Sequence, residues 1–108
     1  MSLESQGLST WIKGLRSEHE KLEKSVVKKN EELAVLRARK EVVEAAVDWV
    51  TDAVSRENFY NNYVKETDNE IETLSEEIVT LRNKRKELAS HIKVIEKAFL
   101  GGMYNNAP

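Results

Sequence analysis

From Leu15 to Leu100 the chain contains neither glycine nor proline. Tight turns draw heavily on those two residues, so few folds run that far without them. Gly7, Gly14, Gly101, Gly102 and Pro108 all lie outside the run. A stretch of this length in a chain that is 33% charged reads as long helix.

The apolar residues inside it repeat as helices require. A first tract steps by alternating fours and threes through Leu8, Ile12, Leu15, His19, Leu22, Val26, Lys29, Leu33, Leu36, Lys40, Val43, Val47, Val50 and Val54. Only His19, Lys29 and Lys40 interrupt this coiled-coil seam. A second tract runs through Tyr60, Val64, Thr67, Ile71, Leu74, Ile78, Leu81, Arg85, Leu88, Ile92, Ile95 and Phe99, broken by Thr67 and Arg85. The two tracts are out of phase, and the break falls in SRENFYNNY, from Ser55 to Tyr63. One unbroken rod would need a three-residue stammer there. A hairpin needs only a loop, and Ser55, Asn58, Asn61 and Asn62 are loop formers.

The sequence therefore predicts an all-α fold: a long antiparallel helical hairpin, a coiled coil in one domain covering 1–108. Its helices are expected at 9–54 and 60–99, with a turn at 55–59, a stop at Gly101–Gly102 and a flexible tail over 101–108. Charge chooses between two registers. One pairs Val54 with Tyr60, Val43 with Ile71, Leu36 with Ile78, Leu22 with Ile92 and Leu15 with Phe99. Its flanks match Glu32 with Lys84, Arg39 with Glu77 and Arg16 with Glu96, and its one clash is Glu44 with Asp68. The other register sets Arg37 against Arg82, Arg39 against Lys84 and Glu23 against Glu96. Each exposed pair is worth only about 0.2–1 kcal/mol, but several of one sign decide for the first. That register also closes the open end, with Leu8, Trp11 and Ile12 near Phe99, Leu100, Met103 and Tyr104.

One surface is more apolar than a two-helix hairpin needs. Val35, Val42 and Trp49 recur every seven residues outside the seam, beside Ala38, Ala45, Ala46 and Ala53. A tryptophan among valines and alanines off the seam marks a contact. Val35, Val42, Ala45, Ala46, Trp49 and Ala53 are thus a candidate oligomer interface, through which two hairpins would form a homodimeric four-helix bundle near the loop end. Phe59, Tyr60 and Tyr63 gather at the expected tip, either plugging the core or docking a protein partner.

The remaining signals are weaker. Lys28, Lys29, Arg37, Arg82, Lys84 and Arg85 are candidate contacts for nucleic acid, or, between Lys29 and Arg85, for a small anion or nucleotide. A net charge of −2 and the absence of interleaved aromatics speak against nucleic acid as the main partner. Lys29 and Arg85 are more simply read as snorkelling seam residues. His19 with Glu23 and Glu87 with His91 have helical ligand spacing, but two ligands do not make a metal site. No Gly-rich phosphate loop, nucleophile elbow or cysteine offers a basis for catalysis, disulfides or thiolate metal binding. No cofactor is implied. No apolar run approaches the roughly 18 residues of a membrane span, and MSLESQGLSTWIKG lacks the apolar core of a signal peptide. These features point to a soluble, intracellular, cytoplasmic protein. The expected role is a non-enzymatic interaction or assembly module, an adaptor, spacer or scaffold. The alternative is a nucleic-acid accessory protein.

Overall fold

A computed structural model describes residues 2–103. Helix α1 runs Leu3–Val47, α2 Ala53–Phe59 and α3 Glu66–Ala98. π-helical turns occupy Tyr60–Lys65, between α2 and α3, and Phe99–Met103, after α3. The described residues contain no strand. The all-α class read from the sequence stands. By contact the residues group into two compact units: those up to Val26 with those from Leu81 onward, and Val27–Thr80.

Helix α1 starts before the expected Ser9. Ser2 caps it: the Ser5 N–H donates to Ser2 Oγ at 3.0 Å, and the Gln6 N–H to the Ser2 carbonyl at 3.1 Å. Gly7 and Gly14 lie inside the helix with open space around them, so they weaken it without ending it.

The second unit is a helical hairpin, and its turn lies N-terminal to the expected 55–59. Helix α1 stops at Val47. The N–H groups of Asp48, Trp49 and Val50 donate back to the carbonyls of Ala45, Ala46 and Val47, a tightened last turn. β-Branched Val50 and Thr51 follow and favour extended backbone. Asp52 is extended, with φ −84° and ψ 133°, and its Oδ2 accepts the Ser55 N–H at 3.0 Å. Asp52 is thus the N-cap that begins α2. Ser55, Asn58, Asn61 and Asn62 are helical, not a loop. Exposed polar residues cost a helix only a few tenths of a kcal/mol each, and a side-chain-capped start outweighs that. Arg56 reaches back across the turn to Asp48 at 3.7 Å.

Moving the turn moves the pairing. In the second unit Leu33, Leu74 and Ile78 form the buried core, with Leu36 and Ile71 packed against it. Lys29 meets Glu77, Arg39 meets Glu70 and Lys40 meets Asp68. This register is one heptad from the one that charge selected, displaced opposite to the rejected alternative. Arg39 therefore engages Glu70 and not Glu77. Lys40 lies 2.9 Å from Asp68 and 3.7 Å from Glu44, so the two carboxylates expected to clash share a cation.

The first unit buries Ile12, Val26 and Ile92, with Leu15, Leu22, Leu88 and Ile95 half-buried. Arg16 pairs with Glu96 there, as the sequence anticipated. Residues 99–103 continue as a π-helical turn through Gly101 and Gly102, where the sequence suggested a stop and the start of a loose tail. Tyr104 and the rest of that predicted tail lie outside the described residues.

Candidate functional site

The seam residues account for the core almost position by position. Every member of both tracts is buried or half-buried except Val54 and Tyr60. Val54 is 66% exposed because it follows the turn. The Tyr60 exception has another cause. In the π-helical turn the repeat lengthens, so the residue one turn before buried Val64 is Phe59, five positions back. Phe59 is accordingly half-buried and Tyr60 points outward, 47% exposed.

With the seam filled, the surplus apolar surface faces solvent. Val35 and Val42 lie two turns apart on one face of α1 and are 69% and 67% exposed. Ala38 and Ala45 sit between and beside them, also exposed. Ala46 is half-buried. Trp49 does not extend this helical stripe: it lies in the turn, beyond the end of α1, and is 84% exposed. Ala53, exposed, opens α2. The candidate interface thus divides into a helical face carrying Val35, Val42 and Ala45 and a turn surface carrying Trp49 and Ala53.

Phe59, Tyr60 and Tyr63 are in the helical stretch after the turn, not at a loop tip. The Phe59 and Tyr63 rings lie 4.8 Å apart at 49°. Tyr60 and Tyr63 are exposed. The two readings of this cluster therefore divide between its members: Phe59 packs inward, while the tyrosines are available outside.

Beside Tyr63 is a polar arrangement that the sequence did not single out. Thr67 is buried, 2% exposed. Its hydroxyl donates to the Tyr63 carbonyl at 2.6 Å and accepts from Arg39 Nε at 3.0 Å. The Tyr63 carbonyl also accepts the Glu66 N–H, closing the π-helical turn. Arg39 continues to Glu70. Arg39, Val43, Asn62, Tyr63, Glu66, Thr67 and Glu70 line a shallow groove here. The available signal was Thr67 as a polar seam position, which fixes register when satisfied.

The basic candidates are dispersed. Lys28, Lys29 and Arg37 belong to the second unit; Arg82, Lys84 and Arg85 belong to the first. Lys29 Nζ lies 3.0 Å from Glu77 Oε2. That hydrogen bond and charge hold the ammonium pKa above its ordinary value. Asp68 does the same for Lys40. Lys29 therefore faces a carboxylate of its own unit. Arg85 is half-buried, whereas Arg82 and Lys84 are exposed. His19 Nδ1 lies 3.7 Å from Glu23, and among the described residues no three His, Asp or Glu side chains gather as a metal site. No described helix is long and apolar enough to cross a membrane.

Comparison with protein-family models, curated proteins and solved structures finds no match to this chain.

Proposed function

We propose that this chain is a non-enzymatic helical interaction and assembly module, an adaptor, spacer or scaffold that self-associates through the α1 face of Val35 and Val42. The observation that carries this reading is their exposure on a helix whose seam is already filled. Burying a large aliphatic side chain contributes about 1.5–3 kcal/mol, and the neighbouring alanines let a second helix approach closely. Trp49 in the turn and Tyr60 and Tyr63 on the following helix offer further docking points for a protein partner, since aromatics of this kind dominate interface energetics.

Sedimentation equilibrium tests the reading. The chain is expected as a dimer. Val35→Glu with Val42→Glu is expected to give a monomer with unchanged helicity. If the native chain has monomer mass throughout the micromolar range, self-association fails.

A nucleic-acid accessory role is the second reading. It rests on Arg82, Lys84 and Lys86, which are exposed and form no salt bridge among the described residues. It requires binding to generic duplex that weakens steeply with salt and with charge reversal at Arg82 and Lys84. No binding at low salt removes it.

A further inference from the structure

The two compact units carry opposite net charge. Residues 27–80 hold seven Lys and Arg against thirteen Asp and Glu, a net −6. The other unit holds ten against six, a net +4. The whole-chain value of −2 conceals this division. The balance within each unit also differs. Four of the second unit's cations, Lys29, Arg39, Lys40 and Arg56, are engaged in salt bridges, Lys40 with both Asp68 and Glu44, and acid remains in excess. In the first unit Arg16 is the one Lys or Arg seen in a salt bridge among the described residues.

Each unit also presents exposed apolar residues of its own. In the acidic unit these include Val35 and Val42, with Glu31 and Glu32 one turn before Val35. In the basic unit they include Val94 and Trp11, 60% and 51% exposed, with Lys97 one turn after Val94.

We infer that the occupant of the Val35–Val42 face is the basic unit of a second copy, so that acidic and basic units meet between chains. This inference rests on the proposed self-association and specifies its geometry. Stacking the turn-bearing units on each other, the arrangement the sequence suggests, would set one net −6 surface against another. Like charges across an interface oppose association, whereas opposite ones steer encounter and fix orientation. The crossed arrangement puts −6 opposite +4 and gives the valines of α1 an apolar counterpart in Val94. In a twofold pair the same contact is made twice.

The chain has no cysteine, so single introduced thiols report contacts without background. Val35→Cys and Val94→Cys chains are mixed and oxidised, and each is also oxidised alone. The inference expects cross-linked dimer chiefly in the mixture. Efficient cross-linking of Val35→Cys alone would retain self-association but overturn the crossed geometry. Monomers in every sample, with monomer mass by sedimentation, would overturn both. Charge reversal gives an independent arm using exposed residues. Lys93→Glu with Lys97→Glu is expected to weaken dimerisation at least about tenfold at low salt, where screening is slight. Mixing with a Glu31→Lys, Glu32→Lys chain is expected to recover association. Equal dimerisation by all these variants, insensitive to salt, would also overturn the inference.

Discussion

Arg39 Nε donates to Thr67 Oγ1 at 3.0 Å, and that hydroxyl donates in turn to the Tyr63 carbonyl. One side chain of α1 is thereby tied to a buried hydroxyl and to the backbone of the π-helical turn. The π-helical turn lengthens the repeat and faces Phe59 inward, and Thr67 caps a carbonyl that the irregular ladder engages. Register and irregularity are held by the same three groups.

Thr67→Val retains the shape and removes the hydroxyl. It leaves the Arg39 donor and the Tyr63 carbonyl one partner short, so a loss of about 1–3 kcal/mol is expected in urea unfolding. A neutral result would mean that the network does not contribute to stability.

Turn position separates two otherwise similar truncations. Ile78→Ala opens the Leu33–Leu74–Ile78 core and is expected to cost about 2–5 kcal/mol. Val54→Ala, at an exposed site after the turn, is expected to stay within about 0.5 kcal/mol of the native chain. A large loss at Val54 would return it to the seam and place the turn later, at 55–59.

The register can be read by charge exchange. Lys29→Glu sets two carboxylates together and is expected to lower the thermal midpoint, and adding Glu77→Lys to recover it. Arg39→Glu with Glu77→Lys is expected to show no such recovery, because Arg39 engages Glu70. The opposite pattern in melting curves would restore the register that charge pairing alone selected.

The Asp52 cap has a definite pH signature. The Ser55 N–H holds the Asp52 carboxyl below its ordinary pKa of 3.8. A carboxyl lowered by folding stabilises above its ordinary value, and the contribution is lost as pH falls through the lowered one. Asp52→Asn keeps a capping oxygen without the charge. The native chain is expected to melt higher than this variant at neutral pH, with the gap closing as the pH falls below about 4. A gap that is constant with pH would show that the charge is not what stabilises the cap.

Much of the architecture was legible in the residues. The absence of Gly and Pro from Leu15 to Leu100 announced helix, and the two seams named nearly every buried position. The turn was misplaced because Asn58, Asn61 and Asn62 have loop propensity, yet propensity is a weak prior against a capped helix start. Asp52, just after β-branched Val50 and Thr51, was the better signal. The register error in the second unit followed from the turn, since the cross-helix pairs of that unit shift with the point of reversal, while Arg16 still meets Glu96 in the first. The π-helical turn left only a displaced burial from Tyr60 to Phe59, which a regular heptad count cannot express. Of the candidate interface, Val35 and Val42 were read correctly as sharing a face off the seam, while Trp49 kept the spacing but not the helix.

The most direct test of the account is sedimentation equilibrium of the native chain beside Val35→Glu with Val42→Glu. The account predicts twice the 12.4 kDa chain mass for the native protein and a single chain mass, at unchanged helicity, for the variant. Monomer mass for both, or dimer mass for both, would contradict it.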